Sequence, residues 1–246
     1  MLAQVWTSEL KHPMNALQKF HIEVCQTKNL LLAIEDLGFL TERNWKKNIK
    51  KIIEFKPFSC GLVWNNDNTL GGGAFGKSGL TKLGEKVALT LENAGILVDT
   101  AHMNEQTFWD FCKITTRPIF NSHSNFYEQN PHARNLKNEQ IERIIKSGGM
   151  FCLSFVKYFV SDEGDVKCAD VARQIAWCVK KFGDKNVGIG SDFFGTTELP
   201  DDLKTYVDFA KLKKNLLKFG LSRKQIYNIF YRNLASFVRK NFKKSR

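Results

Sequence analysis

No stretch of this sequence approaches the roughly 20 consecutive apolar residues that a bilayer-spanning helix requires. Its first twenty residues also lack the charged start, apolar centre and small-residue cleavage site of a secretory signal. The chain therefore reads as soluble, not exported and cytoplasmic. The six cysteines, Cys25, Cys60, Cys112, Cys152, Cys168 and Cys178, include no CxxC pair, which argues against a zinc ribbon or a disulfide framework and for reduced, mostly buried thiols. Acidic residues are scarce, 25 against 37 Lys and Arg, for a formal charge of +12. Much of the excess sits in Lys46, Lys47, Lys50, Lys51 and Lys56, in Lys211, Lys213, Lys214 and Lys218, and in Arg239, Lys240, Lys243, Lys244 and Arg246. The first two clusters recur at helical spacing around apolar positions and read as solvated helix faces, so nucleic acid is disfavoured as a partner; only the tail could act as an anion-binding arm. The one glycine-rich stretch, GGGAFGKSG at 71–79, lacks Walker spacing. It reads as a loop over the mouth of a barrel, with Gly71 to Gly73 as a hinge.

What the chain does have is apolar bulk and regular alternation. A hydrophobic fraction of 43% and 20 phenylalanines in 246 residues suit a packed globular protein. Short apolar runs at about 2–6, 30–34, 58–63, 96–100, 118–121, 150–155 and 187–190 predict buried parallel strands. Helical periodicity separates them at roughly 13–26, 42–55, 81–94, 104–114, 138–147 and 168–182, followed by helices near 203–219 and 222–242. Asn138 is a candidate N-cap, and Ser222 with Gln225 fits a capping box. Alternation of this kind predicts an α/β fold, a TIM-type (β/α)8 barrel. With seven strands in view, the expectation is a single, incomplete barrel domain over 1–246 that lacks its first βα unit and ends in the helices at 203–242.

Four residues able to bind metal or move protons each follow an apolar run: Glu35 after LLLAI, His102 after ILVDTA, His123 after PIFNS and Asp192 after VGIGS. In a barrel, catalytic residues gather at one end of the strands. Each has a plain alternative. Glu35 could be the acid at a helix N-terminus, either histidine a hydrogen-bonded core residue, and Asp192 the cap of a following helix. Two histidines on consecutive strands with a carboxylate on an earlier one are nevertheless the ligand set expected for zinc with an open position, and Asp192 could orient or deprotonate a metal-bound water.

The segments LLLAIEDLGFL, VWNNDNTLGGG, GLTKLGEKVALTLENAGILVDTAH, RPIFNSHSN, HARNLKNEQ, KSGGMF and VGIGSDFFG together resemble the renal dipeptidase (membrane dipeptidase) family of zinc peptidases, among the amidohydrolase-like metal-dependent hydrolases. The likeness runs in order from about residue 30 to the C-terminus. It implies that Glu35 bridges two zinc ions and that His102 and His123 complete the ligands of one. It further implies that Asp192 handles the proton of the attacking water and that Arg134 grips the substrate carboxylate, a task suited to the bidentate guanidinium fork. Trp64 and Asn65 fall on the family's substrate-contacting strand end, Trp64 standing where renal-type enzymes carry a polarising histidine. Two further departures stand out. Residues 1–34 contain no Asp-x-His-x-Asp, the motif that holds the other zinc; His21-Ile22-Glu23 is judged a decoy. The tyrosine expected after the run at 150–155 is Val156, with Tyr158 nearby.

The function implied is a zinc-dependent dipeptidase using metal-activated water, with dipeptides as substrates, no membrane partner and a homodimer by family likeness. The alternative is a catalytically impaired or truncated relative that keeps the fold as a binding or structural module.

Overall fold

The computed structural model describes residues 31–242 together with Leu2–Val5, His12, Met14, Asn15, Leu17 and Gln18. His21-Ile22-Glu23, Cys25, most of the helix expected at 13–26 and the end of the basic tail lie outside the described residues. The chain divides into two compact units, one up to Phe120 with Phe242, the other Asn121–Asn241.

The first unit is a run of parallel strands. β1 (Leu2–Val5) pairs with β2 (Leu31–Ile34) from Leu2↔Leu31 to Val5↔Ile34. β3 (Ser59–Gly61) pairs with β2, and β4 (Leu97–Asp99) with β3. Leu32, Ala33 and Ile34 and every residue of β3 and β4 are buried, the pattern of strands covered on both faces. Three helices lie between and after them: α1 (Trp45–Glu54), α2 (Lys82–Asn93) and α3 (Glu105–Ile114). On α1, Ile49 and Ile52 are buried while Lys46, Lys47, Lys50 and Lys51 are exposed, as the solvated-face reading required. Thr81 accepts from the Gly84 N–H to start α2, and Asn104 from the Thr107 N–H to start α3. α2 ends where Gly95, at φ 84°, lets the chain turn directly into β4. Phe58, fully buried, meets the edges of Phe120 and Phe242 at 5.3 and 5.9 Å.

β5 (Phe120–Ser124) begins where the first unit ends, Phe120 pairing with Asp99 of β4. The sequence places this strand at 118–121, ending before His123; the structure starts it two residues later and keeps His123 within it. Pro118 has no N–H to give to a ladder, whereas Ser122, His123 and Ser124, polar enough to read as loop, are all buried. In the second unit β5 is followed by β6 (Met150–Leu153) and β7 (Val187–Ile189), with Phe151↔Val187 and Leu153↔Ile189 in register. Its helices are α4 (Asn138–Lys146), α5 (Lys157–Val160), α6 (Cys168–Phe182), α7 (Phe209–Lys218), α8 (Arg223–Tyr227) and α9 (Asn233–Asn241). Phe126 packs between Phe151 and Trp177, tying β6 to α6.

Other local expectations changed too. Asn138 is the first helical residue of α4, and the Lys137 N–H before it donates to Gln140 Oε1. Ser222 and Gln225 form the expected capping box, Gln225 N–H to Ser222 Oγ at 3.2 Å and Ser222 N–H to Gln225 Oε1 at 2.9 Å. The helix expected at 222–242 is interrupted by a π turn at Asn228–Arg232. Asn228 donates to Asp184 Oδ2 and Asn233 to the Asp184 and Val187 carbonyls. Residues five apart on an α-helix point about 140° away from each other, and the wider turn brings both amides to the start of β7.

Candidate active site

In the first unit the site is built at the ends of β2 and β4. Glu35 follows β2 directly, and its Oε1 lies 2.9 Å from His102 Nε2. The alternative of a helix-end acid fails, because α1 starts ten residues later and has no acid in its first turn. His102 stands three residues beyond β4 in the left-handed region, φ 69°, uncommon for a residue with a side chain. Its Nδ1 is 2.9 Å from Asn65 Oδ1. A carboxamide oxygen accepts only, so with this amide orientation Nδ1 carries the proton. Nε2 then faces a carboxylate oxygen, and a neutral ring brings a lone pair to that contact. A proton, on the ring or on the carboxyl, or a metal ion is needed between two such atoms. Trp64 covers the His102 ring at 5.9 Å between centroids, so the structure brings Glu35, Trp64, Asn65 and His102 together.

The glycine-rich loop supports this cluster and is no hinge. The Gly72 N–H donates to Thr107 Oγ1, the Asn104 N–H to the Gly72 carbonyl, and Asn104 Nδ2 to the carbonyls of Gly76 and Ser78. Asp67 accepts from the N–H groups of Lys77 and Ser78, which holds its carboxyl below the ordinary range. Gly71 to Gly73 are buried, and a Cβ on Gly73 would stand 2.0 Å from the Trp64 carbonyl oxygen. Close approach to the strand end carrying Trp64 and Asn65, rather than freedom to move, is why glycine is used here. Asn68, which the sequence reading passed over, ties the loop to the segment after Glu35. It donates to the Leu62 carbonyl and Asp36 Oδ1 and accepts from Leu70. Burial raises the Asp36 carboxyl to about 6, against the hydrogen bonds from Gly38 and Asn68.

In the second unit His123 is buried within β5, with Ser122 Oγ 2.7 Å from its Nδ1. Burial first, and the Arg134 charge second, hold its pKa well below the ordinary value, so the ring stays neutral at pH 7. A neutral imidazole is the form that ligates a metal.

Arg134 is no surface residue: it is 4% exposed in the loop before α4. Its Nη2 donates to the His123 carbonyl at 3.4 Å, and its guanidinium lies over Phe159 of α5. Asp192 stands three residues past β7 at φ 60°. No helix follows it; the chain turns back as the Gly195 N–H donates to its carbonyl. Gly190 allows the approach, since a Cβ there would lie 1.8 Å from the Ser122 carbonyl oxygen. Burial raises the Asp192 carboxyl to about 6, with Arg134 pulling the other way. Val156 is buried, and Tyr158, the nearest tyrosine, is half exposed. Phe159, which the sequence reading did not single out, takes the place against Arg134; an apolar residue on a four-residue helix gives no sequence signal of that role.

Residues 48–245 match the sequence model of the membrane dipeptidases, peptidase family M19. Over 187 residues the chain is 30% identical to an uncharacterized protein from the pqqA 5′ region of Klebsiella pneumoniae, spanning 71% of this chain and 69% of that protein. Among solved structures, the metallopeptidase dipeptidase AC superposes with a TM-score of 0.78 at 21% identity over 87% of this chain, which spans 66% of that protein. A Rhodobacter sphaeroides metallopeptidase, solved with a phosphinate mimic of the dipeptide L-Ala-D-Ala, gives 0.78 at 20% identity over 98% of this chain and 69% of its own. At these identities the structural likeness shows a shared α/β fold.

Proposed function

This chain belongs to the membrane dipeptidase family, and from that premise we propose that it hydrolyses the peptide bond of dipeptides with water activated by a zinc ion. The observation that carries the proposal is the contact of Glu35 Oε1 with His102 Nε2 at 2.9 Å, its imidazole fixed from behind by Asn65. Glu35, His102 and His123 are the proposed ligands. Oxygen and imidazole nitrogen are the donor types zinc takes in catalytic sites, and with His102 Nδ1 against Asn65 and His123 Nδ1 against Ser122, Nε2 of each ring is the nitrogen proposed for the metal. When bound, such an ion supplies a Lewis acid that polarises the peptide carbonyl and acidifies water.

The remaining steps belong to this chain's own residues. Arg134 binds the C-terminal carboxylate of the dipeptide and fixes its orientation, a buried fork lying over the Phe159 ring. Asp192 takes the proton of the attacking water and returns it to the leaving amine. A carboxyl raised to about 6 suits both halves of that task near neutral pH. Trp64 and Asn65 line the substrate side, Trp64 excluding water from the His102 ring and Asn65 holding its tautomer. The family's histidine at the Trp64 position is absent, so no imidazole from that strand end is available to polarise the carbonyl.

The contrary reading, a binding or structural module without turnover, draws on the absence of Asp-x-His-x-Asp from residues 1–34. Elemental analysis with dipeptide hydrolysis separates the two. Bound zinc with turnover that disappears in Glu35→Gln supports the dipeptidase; folded, zinc-supplied protein that turns over no dipeptide sinks it.

A further inference from the structure

We propose that Phe159 is the positioning residue that sets the plane of the Arg134 guanidinium for carboxylate binding. The inference rests on the reading of Arg134 as the carboxylate grip. The Arg134 Cζ lies 5.1 Å from the centroid of the Phe159 ring, and the His132 ring packs on the same phenylalanine at 5.1 Å with 39° between planes. Stacking engages the face of a guanidinium and none of its N–H donors. A ring on that side of the guanidinium can hold its plane without taking up the groups that would bind a carboxylate.

Phe159 is itself held as if its place mattered. Asn135, next to the arginine, donates to the Phe159 carbonyl at 2.8 Å and to the Asn130 carbonyl at 2.9 Å. Asn130 donates to the Tyr158 carbonyl at 2.7 Å and approaches Asp162 Oδ1 at 3.3 Å. Gln174 of α6 secures the end of the short helix through the Val160 carbonyl at 3.0 Å. The Arg134 N–H donates to His132 Nδ1, closing the loop on the ring that shares Phe159. Two side-chain amides thus bolt the loop of the arginine to the backbone of Tyr158 and Phe159, and the Phe159 ring reaches the guanidinium. Neither asparagine touches the guanidinium; the ring is the element of this arrangement that does.

Isothermal titration with a phosphinate dipeptide mimic, as the free C-terminal carboxylate and as its C-terminal amide, distinguishes positioning from mere structure. Wild-type protein is expected to bind the acid at least about tenfold tighter than the amide, and Arg134→Met to erase that preference. Phe159→Leu is expected to weaken the acid roughly tenfold, within the range of a desolvated cation–π contact, and to leave the amide unchanged. Phe159→Trp, which keeps an aromatic face, is expected to retain the preference. Phe159→Met repeats the test if the leucine variant does not fold. Equal weakening of acid and amide by these variants, or no weakening of either, overturns the role of Phe159 while the behaviour of Arg134→Met leaves the arginine's role standing. Wild-type protein that binds acid and amide alike overturns the reading of Arg134 and this inference with it.

Discussion

Asp192 carries two opposed consequences of the same burial. Its carboxyl is raised to about 6, so its proton-accepting form is lost as the pH falls through that value; kcat/KM for a dipeptide is expected to decline below about pH 6. Arg134 pulls the value down, so Arg134→Met is expected to move that acid limb to higher pH, beyond its effect on KM. The stability effect has the reverse sign. A carboxyl whose folded pKa exceeds the unfolded 3.8 favours the folded state below that value, and the contribution is lost as the pH rises through about 6. Asp192→Asn is therefore expected to be inactive yet more stable than the parent at pH 8, by on the order of 3 kcal/mol, with the difference closing near pH 3.8. Denaturant titrations at the two pH values check it. The strand-end positions of Glu35, His102 and Asp192 were legible in the sequence, because each follows an apolar run. Phe159 was not, because its role depends on contact with a residue 25 positions away. The burial of Arg134 was hidden for the same reason, since nothing in HARN distinguishes a buried loop arginine from an exposed one.

Among the elements, the loop from Asn65 to Leu80 shows how a support differs from a hinge. A methyl group on Gly73 would meet the Trp64 carbonyl at 2.0 Å and the Asn65 carbonyl carbon at 2.6 Å. Gly73→Ala is thus expected to destabilise the protein by roughly 2 kcal/mol or more and to lower dipeptide turnover by displacing Asn65 from His102. Substitution at Gly148 offers a control, since nothing lies within 4 Å of a Cβ there, although its φ of 70° adds local strain. At α8, Ser222→Ala removes the acceptor for the Gln225 N–H and is expected to cost about 1 kcal/mol with no effect on turnover. The seven strands among the described residues fall on apolar runs, because parallel strands buried on both faces, as β3 and β4 are, are nearly continuous in hydrophobicity. The register of β5 could not be read from them. Its buried polar residues, Ser122, His123 and Ser124, break the apolar pattern where the site needs a ligand. The π turn was equally hidden, because it answers to the Asp184 and Val187 carbonyls and not to any local propensity.

For the whole molecule, charge and chemistry part company. The lysines of α1 and α7 are exposed on faces opposite buried Ile49, Ile52, Leu212 and Leu216, so this part of the basic excess is carried by solvated helix surfaces. Binding to duplex DNA, followed by fluorescence anisotropy, is expected to be weak and to vanish as salt is raised. No helix among the described residues is long and apolar enough to cross a membrane. The family relation and the Glu35–His102 contact instead direct attention to metal-dependent hydrolysis. The most direct test is the rate of dipeptide hydrolysis by purified protein before chelation, after chelation and after zinc is returned, with Glu35→Gln alongside. The expected result is turnover that chelation abolishes, zinc restores and Glu35→Gln never shows. Turnover that persists without metal and in Glu35→Gln, or its absence from folded protein supplied with zinc, would contradict the proposed function.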